Sequence, residues 1–161
     1  MSGTLVLGIG NRLGGDDAAG PYLVDRLNRR RQRARRPGSA EIAAIDAGTS
    51  PESYTSLIRR HQPDLLILVD AADMGLPPGS LRRIRPDAIS IASFSTHRMP
   101  LSVLISYTKE LCPEVVLIGV QPEQTNVGTG MSETVHENVR ALAEAILKGR
   151  TDEIPLLERG T

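Results

Sequence analysis

The feature that most constrains the fold of this chain is a regular alternation of short aliphatic runs with amphipathic stretches of helical period. The aliphatic runs predict strands at residues 4–9, 40–45, 65–69, 80–84 and 115–120. The amphipathic stretches predict helices at 18 to about 35, at a short segment ending near 61, after Pro100, and at 132–148. This order predicts an α/β protein: a three-layer α/β/α sandwich, with helices on both faces of a mostly parallel, twisted, five-stranded sheet that has one antiparallel edge strand.

Length and terminal segments indicate a single domain over residues 1–161, with a peripheral tail from about residue 149. Cys112 is the one cysteine, so the fold cannot depend on an internal disulfide. The N-terminus has no secretory pattern, and no apolar run approaches the roughly 20 residues that cross a bilayer. We therefore expect a cytoplasmic protein that makes no use of a membrane.

Charge and aromatic content argue against a nucleic-acid partner. Nineteen basic residues balance nineteen acidic ones, whereas nucleic-acid-binding domains usually carry a basic surplus. Aromatic residues make up only 2% of the chain, which leaves little for stacking on bases. The one charge run, six arginines between residues 29 and 36, fits the solvated end of the first helix better than a docking patch for an acidic partner.

A glycine-rich loop, GIGNRLGGDDAAG, follows the first strand and first suggests a dinucleotide site. The sixth position of that fingerprint should be glycine and is Leu13, and no Gly-Lys-Ser/Thr follows for a Walker loop. The loop ends instead in Asp16 and Asp17, which repel phosphate and attract a cation. A helix cap explains Asp16 well, so Asp17 is the better functional candidate, and Asn11 fits a turn residue.

Two further carboxylates end predicted strands. Asp70 closes the apolar run LLILVD, where a carboxylate is costly unless it is paired or coordinated. A cap of the following loop is an equally good explanation. Asp46 ends the second strand in the same way, although an Asx turn accounts for it equally well, and Asp73 fits a turn residue. In parallel α/β sheets these strand ends line the ligand crevice.

Of the three histidines, His97 in the loop FSTHRMPL is the one near this crevice, although a structural role is the commoner explanation for an isolated loop histidine. His61 fits a cationic helix end, and His136 fits an exposed helix face. Jointly, Asp17, Asp70 and His97 would supply three metal ligands and leave an open position, as in catalytic metal sites. Serine or cysteine hydrolysis has less support, because no Gly-x-Ser-x-Gly elbow is present and Cys112 has no neighbouring base.

Four separated motifs resemble those of the NiFe-hydrogenase maturation endopeptidases, in order and in spacing. They are GIGNRLGGDDAAGP, LLILVDAADMGLPPG, STHRMPL and GVQPEQTNVGTGMSETV. The resemblance covers roughly residues 4–148 and is nearest to the branch that serves hydrogenases of the formate hydrogenlyase type. The family's fold, a twisted sheet flanked by helices, agrees with the pattern above. Ala18 and Ala47 stand where the family often has glycine.

The resemblance implies roles for individual residues. It assigns catalysis and metal binding to Asp17, Asp70 and His97, with Asp16 as a helper or cap. The family's Asp-Gly-Gly-Thr loop stands here as Asp46-Ala47-Gly48-Thr49, and it has been linked to substrate handling. We therefore expect a secondary contribution to substrate binding from five residues: Asn11, Asp16, Asp46, Gly48 and Thr49.

The resemblance also implies the substrate. It predicts a monomeric, metal-dependent endopeptidase that removes the C-terminal extension of a nickel-loaded NiFe-hydrogenase large-subunit precursor. The nickel would arrive with the precursor, and zinc or cadmium could occupy the same ligands in a crystal. Two alternatives stay open at this point: a nickel-sensing chaperone that binds the precursor without cutting it, and a nucleotide-binding Rossmann-like protein.

Overall fold

The computed structural model describes residues 3–33, 41–94 and 100–158, with the backbone alone at 31–33. Within these ranges six strands and four α-helices form. The strands are β1 (Thr4–Ile9), β2 (Ile42–Gly48), β3 (Leu65–Asp73), β4 (Leu81–Ile84), β5 (Ser93–Phe94) and β6 (Glu114–Val120). The helices are α1 (Ala19–Arg33), α2 (Thr55–His61), α3 (Leu101–Thr108) and α4 (Glu133–Leu147).

The strands form one mixed sheet in the order β2-β1-β3-β6-β4. β2, β1, β3 and β6 run parallel to one another, and β4 runs antiparallel to β6. This confirms a mostly parallel sheet with an antiparallel edge. The predicted count of five strands is wrong, because the two-residue β5 pairs antiparallel with the end of β3. A strand that short carries no periodicity that a sequence could reveal.

Two apolar cores lie on opposite faces of this sheet, because alternate residues of each strand point to opposite sides. Val6 and Ile67 pack with α1 and α4, whereas Leu7 and Leu68 pack with α2 and α3. The helices therefore cover both faces, as predicted. No helix in the described ranges is long and apolar enough to cross a membrane.

Two strands extend further towards their carboxyl ends than the sequence pattern predicts. β3 continues through Asp70 to Asp73, because its backbone goes on pairing with β6 and then with β5. β2 begins at Ile42 and reaches Gly48, so Asp46 lies inside the strand and not in the loop after it. In both strands the first polar residue ends the apolar run of the sequence, but backbone pairing with the neighbouring strand continues past that residue.

The chain after α4, as far as the structure describes it (to residue 158), packs against the sheet, in contrast to the peripheral tail that we predict from the sequence. Arg83 of β4 donates its N–H to the Pro155 carbonyl and accepts from the N–H of Leu157, at 2.8 Å each. Ile154 and Leu157 are each only 7% exposed. The tail therefore covers the outer side of β4, which would otherwise be an open sheet edge.

Candidate active site

The two predicted acidic ligands lie at the two neighbouring strands, β1 and β3, between which the chain changes its direction across the sheet: Asp17 follows β1, and Asp70 lies within β3. β1 lies between β2 and β3. The chain passes from β1 to β2 on one side and then crosses over to β3 on the other side of β1. At such a switch point the loops after the strands diverge and leave a crevice, which is where α/β proteins bind ligands. Asp17 lies in the loop after β1, and Asp70 lies near the carboxyl end of β3.

Asp17 sits in a 3₁₀ turn, Gly15–Ala18, that leads directly into α1 and packs against β3. Two glycines permit this close approach. A Cβ on Gly10 would lie 1.9 Å from the backbone oxygen of Asp17, and a Cβ on Gly20 would lie 2.3 Å from that of Ile9. The glycines of the first loop thus let α1 cross β1 closely and hold the Asp17 turn against the sheet.

Asp70 lies within β3 and is fully buried, at 0% exposure. Its backbone is in register with Gly119 of β6. By strand alternation its side chain shares a face of the sheet with Leu68 and Ala72, both of which belong to the core under α2 and α3. The carboxylate of Asp70 is therefore not a solvent-exposed surface group.

His97, the third predicted ligand, lies outside the described residues. The chain enters that segment from Phe94, which lines the cleft beside Asp17. Within the described ranges no group of three or more His, Cys, Asp or Glu side chains is arranged to hold a metal ion. The convergence of Asp17, Asp70 and His97 on one metal therefore stays a prediction.

An open cleft of about 500 Å³ lies at this edge of the sheet. Its walls come from the Asp17 turn, the end of β3, the short strand β5 and the loop after β6, and its lining is mainly polar. The lining residues are Asp17, Ala71, Asp73, Ser93, Phe94, Gln121, Pro122, Glu123, Gln124 and Thr125. The cleft is large enough for a short stretch of extended peptide, and Asp17 reaches it directly.

Asp16, next to Asp17, has a different environment. It is fully buried, and its carboxylate accepts hydrogen bonds from the backbone amides of Glu123, Gln124 and Ser132 at 2.7, 3.1 and 2.7 Å. The Ser132 hydroxyl donates to it as well. Gly14 is the N-cap of the turn, and no side chain caps it, so the predicted capping role of Asp16 is wrong. The carboxylate instead holds the loop after β6 through these hydrogen bonds, which is a helper role. Its predicted contact with substrate stays a prediction.

Gln121, the first residue after β6, connects the cleft to the turn that follows β3. Its side-chain oxygen accepts from the backbone N–H groups of Met74 and Leu76, and its amide donates to Oδ1 of Asp73 at 3.2 Å. This donation, with a second from the N–H of Gly75, lowers the pKa of Asp73 below its usual value. The prediction that Asp73 is a turn residue is wrong, because it is the last residue of β3 and its backbone pairs with Ser93 of β5. Its carboxylate stays ionised at neutral pH.

Arg12 ties three elements together beneath the first loop. Its guanidinium donates to both carboxylate oxygens of Asp25 on α1, at 2.7 and 2.9 Å, and through Nε to Asp46 of β2 at 2.9 Å. The Arg12 hydrogen bond is the main reason why the pKa of Asp25 lies below its usual value. Asp46, a predicted substrate-handling residue, is therefore paired within the protein.

The remaining residues that the sequence assigns to substrate binding lie at the surface of these loops. Asn11 accepts the N–H of Leu13 at 2.9 Å, which confirms that it is a turn residue. Gly48 adopts a φ of 58° and donates its N–H to Asp46, and Thr49 is exposed. Their predicted contact with substrate stays a prediction.

The other nucleophilic or titratable candidates lie away from the cleft. Cys112 is buried, and burial raises the pKa of its thiol, which does not suit a nucleophile. The sequence predicts that His136 faces solvent, yet it is half-buried with its ring 4.1 Å from that of Tyr22. Burial lowers its pKa first, and the neighbouring Arg140 lowers it further.

The sequence predicts no role for Arg12 or Gln121. Gln121 carries the signal that drew attention to Asp70, namely a polar residue at the mouth of an apolar strand, VVLIGVQ. Arg12 has no such local signal. Its partners are 13 and 34 residues away along the chain, and only the assembled sheet reveals them.

Comparison with known proteins agrees with this architecture. The model of a protein family described as "HycI: Hydrogenase maturation protease" matches residues 21–149. The hydrogenase 3 maturation protease of Escherichia coli K12 is 36% identical over 143 residues, which cover 88% of this chain and 87% of that protein. A crystal structure of a hydrogenase 3 maturation protease superposes with a TM-score of 0.85 at 32% identity, covering 98% of this chain and 97% of that one. The maturation protease HycI of Thermococcus kodakarensis superposes with a TM-score of 0.76, again at 32% identity, with 92% of each chain covered.

Proposed function

Because the chain belongs to the hydrogenase maturation protease family and is thus a peptide hydrolase, we propose that it removes the C-terminal extension of a NiFe-hydrogenase large-subunit precursor. We further propose that it acts after nickel has been inserted, and that the precursor's nickel is what the enzyme recognises. In this proposal nickel is part of the substrate and no resident metal is needed. We assign the reaction to the cytoplasm.

The observation that carries this proposal is the position of Asp17. The turn that bears it packs against β3, the strand of Asp70, and opens onto a polar cleft at the switch point of the sheet. A peptide lying in the cleft would pass along Asp17 and along the end of β3. In our proposal a substrate-borne metal binds the carboxylate of Asp17, from the loop after β1, and that of Asp70, from within β3.

The chemistry of the donor set fits a substrate-held nickel ion. Carboxylate oxygens and a neutral imidazole both bind divalent transition metals, and imidazole is a good ligand for nickel. We assign the imidazole to His97. Phe94 lies in the cleft wall, and three residues of chain span at most about 11 Å, so chain length permits His97 to serve the same site.

The residues of this chain then bind and orient, while the nickel of the precursor polarises the scissile carbonyl or an attacking water. Asp17 faces the cleft and holds the substrate at its metal. Asp70 lies behind it in the sheet, where the core on both sides of β3 restrains its position. Rigid placement of ligands is what lets such a site convert binding into rate.

Cleavage of a nickel-loaded precursor, followed by mass spectrometry, tests the proposal. We expect the wild-type enzyme to release the C-terminal extension, and Asp17→Asn, Asp70→Asn and His97→Ala each to lose at least about a hundredfold in rate. Asp152→Asn, at an exposed position after α4, is the matched control and should cleave normally. An intact precursor at high wild-type enzyme, or full activity in the three variants, would refute the function or the residue assignment respectively.

A further inference from the structure

A four-residue segment after β6, residues 121–124, joins the loop that carries Asp17 to the strand that carries Asp70. We call this segment the brace. At one end the side chain of Gln121 bonds to the turn after β3. At the other end the amides of Glu123 and Gln124 bond to Asp16, the neighbour of Asp17. The two acidic elements are therefore connected to each other through the brace as well as through the sheet.

The side chain of Gln121 uses its full hydrogen-bonding capacity. Its oxygen accepts from Met74 N at 2.7 Å and from Leu76 N at 3.3 Å, and its NH₂ group donates to Asp73 Oδ1 at 3.2 Å and to the Pro122 carbonyl at 3.3 Å. The residue is only 6% exposed. Since a buried amide with all its partners in place has one favoured orientation, Gln121 fixes the turn that follows β3.

The backbone of Gln121 is fixed as well. Its N–H donates to the Ser80 carbonyl at 2.9 Å, and its carbonyl accepts from the N–H of Gly79 at 2.8 Å. The preceding residue, Val120, is in register with Ala71 of β3. The brace thus begins from a point that the sheet and the turn before β4 hold in place.

The far end of the brace is held by a buried carboxylate. Asp16 accepts two amides of the brace and that of Ser132, and its own N–H donates to the Gln124 carbonyl at 2.9 Å. Hydrogen bonds to an ionised acceptor are stronger than neutral ones. The next residue along the chain is Asp17, so any shift of the brace is passed on to it.

We propose that Gln121 is a positioning residue of the active site, which sets the spacing between Asp17 and the end of β3 through the brace. This inference rests on the proposed function, since it names how the two carboxylates are kept apart at a working distance. Gln121 itself need not touch the substrate.

The position requires an amide, which makes the inference testable. A glutamate has the same shape and keeps the acceptor for Met74 and Leu76, but it loses the donor and places a carboxylate against that of Asp73. Like charges at this distance repel. Leucine would leave the buried N–H of Met74 without its acceptor, which also costs stability.

The first experiment compares Gln121→Glu with wild type in cleavage of nickel-loaded precursor. We expect kcat to fall at least about tenfold with KM changed by less than about threefold, because displaced ligands impair the chemical step more than binding. Gln62→Glu, which adds the same charge at an exposed site after α2, is the matched control and should keep wild-type kcat.

A second variant tests whether Gln121 positions the active site through its contact with Asp73. In the double variant Gln121→Glu/Asp73→Asn, the amide introduced at position 73 can donate to the carboxylate introduced at position 121, while its oxygen still accepts from Gly75. We expect most of the lost kcat to return. If Gln121 had only a structural role, the single and the double variant would have the same kcat whenever their melting temperatures are equal. Unchanged kcat in the single variant, or no recovery in the double variant, would overturn the proposal.

A third measurement needs neither a variant nor activity. The brace predicts that the amide protons of Met74 and Leu76 exchange with solvent as slowly as those of β3 itself. Fast exchange at both, measured by NMR on the intact wild-type protein, would overturn the brace even if Gln121→Glu does not fold. A wild-type enzyme that cleaves no precursor while both amides are protected would refute the proposed function and leave the brace standing.

Discussion

At the scale of single residues, adjacent aspartates in one turn have separate tasks. Asp16 is buried and accepts hydrogen bonds from the loop after β6, whereas Asp17 opens onto the cleft. Residue types alone only favour Asp17 over Asp16, since either carboxylate can cap a helix or bind a cation. The resemblance of the motif to a known family is what selects Asp17 in the sequence. The structure separates them by their contacts, because both oxygens of Asp16 accept hydrogen bonds from within the protein whereas Asp17 lines the cleft.

Arg12 gives a prediction that belongs to this scale. Replacing it with glutamine should destabilise the protein at pH 7 by no more than about 1 kcal/mol, because the side chains of Arg12 and Asp25 are 50% and 42% exposed and water screens the pair. The pKa of Asp25 is lower in the folded than in the unfolded chain, so the contribution is complete above the unfolded value of 3.8. It is lost as the pH falls through the lower folded pKa.

Urea unfolding of wild type and Arg12→Gln between pH 7 and pH 2.5 checks this expectation. The difference in unfolding free energy should be constant down to about pH 4 and should shrink below it. Arg60→Gln, at an exposed position on α2, should show no difference of this kind. A difference that persists unchanged at the lowest pH would mean that Arg12 acts by packing and not through Asp25.

At the scale of secondary-structure elements, the sequence predicts the strands that have a regular apolar pattern and does not predict strand ends or very short strands, which have none. The aliphatic runs predict β1, the centre of β3 and β6, because a buried parallel strand is continuously apolar. The end of β3 escapes prediction because Asp70 looks like a strand end, although the ladder continues to Asp73. β5 has two residues, too few for any pattern. Strand ends allow candidate ligands to be inferred, whereas the contacts of the brace with Asp16 and with the turn after β3 join residues 45 to 108 positions apart, which no local pattern encodes.

The crossing of α1 over β1 gives a prediction at this scale. Gly20→Ala should destabilise the protein by about 1–3 kcal/mol or more, because the new Cβ would lie 2.3 Å from the oxygen and 2.5 Å from the nitrogen of Ile9. Backbone atoms of a central strand cannot yield, so α1 must move outward and take the Asp17 turn with it. Cleavage of the precursor should therefore fall as well.

Thermal denaturation and cleavage assays of Gly20→Ala and Gly130→Ala provide the comparison. A Cβ on Gly130 meets no atom within 4 Å, so this variant should be as stable as wild type or slightly more stable, since alanine restricts the unfolded chain. Equal melting temperatures for the two variants would show that the close crossing is not what holds the turn.

At the scale of the whole molecule, one sheet separates two cores and a short tail contributes to both. Ile154 packs in the core under α1 and α4, whereas Leu157 packs in the core under α2 and α3. The main chain between them pairs with Arg83 of β4. The active-site edge and the tail thus lie at different parts of the same sheet. The match to the family model ends at residue 149 and the sequence motifs end before this tail, so the tail's place in the structure could not be inferred from the motifs.

The tail gives the last prediction, which concerns global stability. Leu157→Ala should lower the free energy of unfolding by about 2–5 kcal/mol, a large part of the roughly 5–15 kcal/mol that stabilises a typical domain. Leu156→Ala should cost clearly less, because Leu156 is only half-buried while Leu157 is 7% exposed. Removal of residues 151–161 should cost more than either, since it also exposes the backbone of β4 as an open edge that can pair with other chains. Denaturant midpoints, with light scattering to detect association, measure both effects. A truncated protein that unfolds at the wild-type midpoint and stays monodisperse would contradict the prediction. This result would show that the tail is peripheral and that the burial of Ile154 and Leu157 contributes nothing to stability.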